Sequence, residues 1–396
     1  QTTRPFLMHQ VFEVAEITGY PQPIFNGTPA TTWQSNVLNR YSDGSVKTAL
    51  VDFNATLTAS STATITYQNS TNPCSAGNQA SCDAAGISTT AVMKAPPWLS
   101  GSPSWDAQID TTTIASTTNI QTVLNTLAIA SNKIRYRRRG PVATEVIIED
   151  RSSALSLDFG ADANKSIHPF FIITFVNDWQ GVKIEFIVEN VWLTKRQDQT
   201  YSVSLKTAFN GAALVEVYAK ATYGHYVNSR WHKTFWAGAN PDVAGSDNDK
   251  VNWNHNRLYL TKTKILPTYD PAMGQGANVV TNAISDWNAT TKCDLGGHGQ
   301  FNLNFPSGGG RPEIGLQMTW ETKWLMQQHK DLWKIVRLQG DCSGYPNLHI
   351  RESDPAKGSF GGWLSLDDRS TLFIDGGGNT SGIACITACG GSPWQP

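Results

Sequence analysis

From Phe170 to Ala219 the chain is a succession of apolar runs interleaved with polar residues at a period of two, and this pattern constrains the fold more than any other feature. In Val182-Lys183-Ile184-Glu185-Phe186-Ile187-Val188-Glu189, the residues Val182, Ile184, Phe186 and Val188 share one side of an extended chain. Lys183, Glu185 and Glu189 share the other. Successive strand side chains point to opposite faces, so the spacing predicts a strand with one face in a core and the other in water. Similar runs begin at Ile134 and recur over Val142–Glu149, Phe170–Val176, Tyr201–Ala208 and Ala213–Ala219. Together they predict a large antiparallel β-sandwich. Val46–Phe53 and Ala63–Tyr67 read as two further strands, the first preceded by the turn Ser42-Asp43-Gly44-Ser45, in which Asp bonds its own backbone and Gly accepts positive φ.

The expected fold is therefore mainly β. A small N-terminal β-barrel or sandwich covers 1–95, a linker with a short helix 96–130, and a large antiparallel β-sandwich 131–305. A short helical pair near 312–335 and a C-terminal β tail complete 306–396. The linker helix rests on Ile120, Val123, Leu124 and Leu127 at helical spacing. The helical pair rests on Ile314, Leu316, Trp320, Trp324, Leu325, Leu332 and Trp333, with a break near His329–Asp331.

Only 16% of the residues are charged and the formal net charge is -1, so no global field recruits a polyanion and nucleic acid is excluded as a partner class. No apolar stretch approaches the roughly 20 residues that span a bilayer. Six cysteines, Cys74, Cys82, Cys293, Cys342, Cys385 and Cys389, form an even set without zinc spacing, which reads as disulfides in a secreted, extracellular protein. Closeness favours Cys74 with Cys82 and Cys385 with Cys389, leaving Cys293 for Cys342, among the other pairings that six cysteines allow. The start Gln1-Thr2-Thr3-Arg4 reads as a processed end. Glycosylation sequons stand at Asn26, Asn54, Asn69, Asn164, Asn288 and Asn379.

The run Tyr41-Ser42-Asp43-Gly44-Ser45-Val46-Lys47-Thr48-Ala49-Leu50-Val51-Asp52-Phe53 resembles the N-terminal barrel of exo-rhamnogalacturonan lyase-like proteins. Arg139-Gly140-Pro141-Val142 with Glu145-Val146, and the stretch Phe171 to Glu189, resemble the β-sandwich that follows in that family. Gly310-Arg311-Pro312-Glu313-Ile314-Gly315, leading to Trp320 and Trp324, is similar to the entrance of its helical toroid, of which this sequence carries only the helical pair. The resemblance implies a barrel-plus-sandwich scaffold and, as an activity, polysaccharide lyase chemistry.

A lyase that eliminates across a uronate needs a base for the α-proton and a cation for the developing charge. The densest polar-aromatic cluster runs from Tyr223 to Trp236, with His225 or Tyr226 as candidate base and Arg230 and His232 as carboxylate binders. Trp231, Trp236 and Trp253 are candidate carbohydrate platforms. On a strand, Trp231 and Trp236 fall on opposite faces, and Arg and His beside Trp commonly form stacked surface or interface. Asp247-Asn248-Asp249 offers oxygen ligands suited to Ca2+, as turn chemistry also would; no other cofactor is indicated. Arg135, Arg137, Arg138 and Arg139 read as a solvated or salt-bridged face.

Fourteen Trp, eleven Tyr and fifteen Phe against few charges point to a protein that binds something large and flat, either a polysaccharide or copies of itself. The extended stretch Phe6 to Ile17, with Phe6, Leu7, Val11, Phe12 and Val14, reads as a strand pairing with a sheet edge, its own or a neighbour's. The leading expectation is an extracellular structural subunit that self-associates head to tail. A polysaccharide lyase or glycan-binding protein is the alternative.

Overall fold

The computed structural model describes residues 2–71, 105–112, 116–119, 134–138, 140–149, 166–176, 179–192, 198–241, 251–266, 276–288, 293–301, 317–342, 350–354, 356–369, 372–375 and 382–385. The first sheet grows from a turn. Asp43 accepts hydrogen bonds from the backbone N–H and the hydroxyl of Ser45 at 2.9 and 2.6 Å, and Gly44 adopts a φ of 86° that would strain any side chain. The turn joins β4 (Trp33–Arg40) to β5 (Val46–Leu57), and β1 (Thr2–Val11) pairs antiparallel with the other edge of β5. A second sheet, ordered β3 (Thr28–Pro29), β2 (Tyr20–Phe25), β6 (Ile65–Ser70), packs against it. The core between them holds Phe6, Trp33 and Phe53 with Phe25 and Ile65, and the Phe6 and Phe53 rings stack at 5.1 Å. Of the two forms expected for this unit, the described strands make the sandwich; neither sheet closes into a barrel.

The N-terminal strand therefore uses an edge of its own chain. Phe6 and Phe12 are buried, while Leu7 and Val14 are exposed.

The larger sandwich has a five-stranded antiparallel sheet in the order β15 (Ser229–Gly238), β12 (Gly181–Asn190), β11 (His168–Val176), β10 (Ala143–Ile148), β9 (Ile134–Arg138). Facing it are β14 (Val215–His225), β13 (Gln199–Phe209), β7 (Trp105–Thr112) and β8 (Ser116–Asn119). Ile184, Phe186 and Val188 meet Val203 and Leu205 in the shared core. The segment read as a linker thus supplies two strands. Trp105, Ala107 and Ile109 alternate into the core while β7 satisfies one edge of β13. The linker helix at 120–130 lies outside the described residues.

Among the described residues four helices follow: α1 (Arg257–Lys262), α2 (Val279–Asn288), α3 (Thr319–Gln327) and α4 (Lys330–Cys342). The first two fall within the stretch read as sandwich. The expected helical pair corresponds to α3 and α4; Gln328 takes a left-handed φ of 53° at the break, and Trp324 and Trp333 pack across it at 4.7 Å. A disulfide joins Cys293 to Cys342 at the end of α4, with Cα atoms 5.0 Å apart. Cys74, Cys82 and Cys389 lie outside the described residues, and Cys385 closes β17 (Gly382–Cys385), which pairs with β16 (Leu372–Asp375). No helix among the described residues is long and apolar enough to cross a membrane.

The two sandwiches meet at a buried polar clamp. Gln34 Oε1 accepts from Val142 N and Ala143 N at 2.8 and 2.9 Å, and its Nε2 donates to Ala143 O and Asp52 Oδ2 at 2.8 and 3.0 Å. A Cβ on Gly140 would stand 2.2 Å from Gln34 Oε1, so Gly140 leaves room for the amide. Arg138 approaches Asp52 at 3.6 Å and Glu145 at 3.9 Å. Burial pushes the Asp52 carboxyl up to about 6, with Arg138 opposing and Glu145 reinforcing.

Candidate functional site

The 223–236 cluster divides by strand parity. Tyr223, His225 and Trp231 point into the large core and are buried. Ser229 O can only accept, so His225 donates to it through Nε2 at 3.0 Å and accepts from Tyr201 Oη through Nδ1 at 2.8 Å. Trp231 Nε1 completes the chain by donating to Tyr201 Oη at 2.8 Å. Burial lowers the His225 pKa to about 4, keeping the ring neutral. Both nitrogens are engaged and closed to solvent, which corrects the reading of His225 as a base. It also corrects Trp231 as a sugar platform, since its indole fills the core. Tyr226 is half-exposed in the β14–β15 turn.

Arg230, His232, Thr234 and Trp236 form the outer row of β15, opposite Glu189, Ile187, Glu185 and Lys183 of β12. Glu185 and Glu189 point away from the core, as alternation predicts, yet both are buried rather than in water. The reason is tertiary. Asp341 on α4 and the segment around Arg351 lie over this face of the sheet.

Two polar clusters result. In the first, His232 Nε2 is 3.1 Å from Glu185 Oε2, and its Nδ1 is 3.7 Å from Asp341 Oδ1. Lys183 donates to Glu185 at 2.6 Å, and Thr234 donates to Asp341 at 3.2 Å. Burial alone would raise the Glu185 pKa, but the bond from His232 and the Lys183 ammonium outweigh it and hold the carboxyl well below its usual range. Burial raises Asp341 against the pull of His232 and Lys183. Carboxyls driven apart around one imidazole make an arrangement able to hold or move a proton.

In the second cluster, Arg351 grips Glu189 with both arms, Nε to Oε2 at 2.7 Å and Nη2 to Oε1 at 3.1 Å. The same Nη2 lies 3.4 Å from Glu149 Oε1, and Arg135 takes Glu149 Oε2 at 2.5 Å. The Trp363 ring lies over the Arg351 guanidinium at 4.4 Å. Arg230 sits beside this group. Nearby, Glu352 and Arg369 form a buried two-armed pair at 2.8 and 2.7 Å. Asp341 and Trp363 carry no signal in the sequence pattern; Arg351 and Glu352 stand in the alternating polar stretch 349–354, which reads as a strand edge facing carbohydrate or water.

Other candidates fall elsewhere. Trp253 packs edge-on against Phe6 at 6.2 Å, on the core of the N-terminal sandwich and not with the β15 row. Arg137 pairs with Glu145, so Arg135, Arg137 and Arg138 of the arginine run are salt-bridged, while Arg139 lies outside the described residues. Asp247 and Asp249 lie outside the described residues, among which no group of three or more His, Cys, Asp or Glu could hold a metal ion. Asn26, Asn69 and Asn288 are exposed. Asn54 sits mid-strand on β5 with its Oδ1 buried, a poor place for a glycan. Asn164 and Asn379 lie outside the described residues.

Comparison with protein-family models, with curated proteins and with solved structures returned no match. The fold itself defines the class: a mainly-β protein of two sandwiches, the larger carrying a charged face beneath helices and an irregular segment.

Proposed function

We propose that this chain is an extracellular structural subunit that self-associates through open strand edges, on a β scaffold of the kind carbohydrate enzymes use. The observation that carries the reading is a pair of long strands that stand at sheet edges among the described residues, on different sandwiches. β1 runs for 10 residues, with Leu7 37% exposed and Val14, just beyond it, 60% exposed. β14 runs for 11 residues, with Val215 63% exposed. Unpaired edge N–H and C=O groups template pairing with another chain. Contact between an edge of one sandwich and the other sandwich of the next copy is heterologous, so it propagates into a filament rather than closing. Exchange of the N-terminal strand is unnecessary, because β1 already pairs with β5 of its own chain. The Cys293–Cys342 disulfide supports an oxidising, extracellular setting. Light scattering with negative-stain imaging tests the reading: native material forms filaments, and the double change Val215→Lys with Val217→Lys leaves folded monomers. A native chain that stays monomeric at micromolar concentration overturns it.

A second reading, a lyase on acidic polysaccharide, is favoured by His232. This imidazole lies between Glu185 and Asp341, two residues from Arg230 on the same strand face, about 7 Å along the chain. That separation suits one group taking a proton beside a carboxylate that the other neutralises. Digestion of pectin should release ultraviolet-absorbing unsaturated sugar, and His232→Gln should abolish the release. Absence of product from the native protein removes this reading.

A further inference from the structure

We propose that Arg230 and Trp363 form a binding seat for a carboxylated sugar on the outer face of the large sheet. The argument begins with charge accounting. Two carboxylates at this end of the face, Glu149 and Glu189, meet three guanidinium groups, Arg135, Arg230 and Arg351. Arg351 takes both oxygens of Glu189 and approaches one of Glu149, and Arg135 takes the other. All four oxygens are thereby engaged by other arginines. Arg230 stands opposite Glu189 in the strand register, yet its side chain makes no hydrogen bond or ion pair within bonding distance among the described residues. Its Nε is buried without an acceptor. A guanidinium keeps its charge even in such surroundings, and its planar fork matches a carboxylate.

Burial and the neighbouring Arg351 both work against the Arg230 charge, with Glu189 opposing them. An incoming carboxylate would relieve that imbalance, whereas a neutral ligand would not. Trp363 supplies the second half of the argument. Its ring covers the Arg351 guanidinium at 4.4 Å and is 52% exposed, which places an aromatic surface beside the cationic group. An aromatic face beside a guanidinium fork suits a ring that carries both an apolar face and an acid group, as a uronate does. The segment bearing Trp363 is fixed to the sheet by backbone bonds from Arg351 N to Val191 O at 2.8 Å and from Leu364 N to Ile350 O at 3.1 Å, so the seat is built before ligand arrives.

The seat stands independently of self-association and uses the polysaccharide reading only for its choice of ligand. Binding is measured by calorimetry on the full chain with alginate oligosaccharides, neutral cello-oligosaccharides of equal length, and poly-glutamate. Saturable binding to alginate oligosaccharides alone is expected, weakened at least tenfold by Arg230→Gln and by Trp363→Ala, and weakened less by Arg230→Lys. Melting curves identify any variant that fails to fold, and the exposed Trp363 change provides the arm least exposed to that failure. No saturable binding, or affinity unchanged in folded Arg230→Gln, overturns the seat. Equal affinity for poly-glutamate overturns the sugar assignment in favour of an acidic peptide. Binding without unsaturated product from either alginate or pectin leaves the seat standing and defeats the lyase reading alone.

Discussion

His225 and Asp52 are both buried ionisable groups, and their proton equilibria are displaced in opposite senses. The folded chain keeps His225 neutral down to about 4, whereas an unfolded histidine takes its proton near 6.5. The unfolded state therefore binds more protons between those values, and stability falls by about 3 kcal/mol as pH drops through the window. Asp52 has the reverse sign. Its folded pKa is about 6 against 3.8 for the unfolded group, so the folded state binds the extra proton and stability rises as pH falls through that interval. The two terms nearly cancel. Asp52→Asn removes one of them, and denaturant melts should show the variant losing about 3 kcal/mol more than the native chain between pH 6.5 and 4. Parallel native and variant profiles would show that Asp52 does not titrate in this window.

At the scale of the element, β15 shows how one strand serves two environments. Its odd-numbered Trp231 enters the sandwich core, while Arg230, His232 and Thr234 face the charged cluster. Replacing Trp231 by Ala removes a core ring and leaves Tyr201 without its donor, at a cost of about 4 kcal/mol. Trp363→Ala, at an exposed site, should shift the denaturation midpoint far less. Equilibrium unfolding of the two variants decides the point: a small effect for Trp231 would return it to the surface. The parity of β15 was legible from residue spacing. What covers its outer face was not, because Asp341 and Arg351 arrive from more than 100 residues further on.

For the whole molecule, the decisive joint is Gln34. Its single amide makes four hydrogen bonds and ties β4 to β10, beside the buried approach of Arg138 to Asp52. Gln34→Ala leaves Val142 N, Ala143 N and Asp52 short of partners, each buried group costing about 1–3 kcal/mol. Calorimetry should then show one native transition splitting into two, with the smaller sandwich melting first. A variant that still melts in one transition would mean the sandwiches are coupled by packing elsewhere. The motifs around Asp52 and Gly140, distant in sequence, meet at this joint, which accounts physically for the Gly and the buried Asp.

Local chemistry by itself determined most strands of the large sandwich, the Asp43-Gly44 turn and the break between the last two helices. These depend on side-chain alternation, positive φ and apolar spacing, all encoded within a few residues. The helix α2 was equally available in the spacing of Val280, Ala283, Ile284 and Trp287 but fell inside the 131–305 stretch assigned to the sandwich. Tertiary structure alone decided that β7 and β8 join the large sandwich, that β1 pairs with its own chain, and that Glu185 and Glu189 lie beneath a cover instead of in water. Alternation specifies which face of a strand a side chain takes; only the path of the distant chain specifies whether that face meets solvent, another element or an opposite charge.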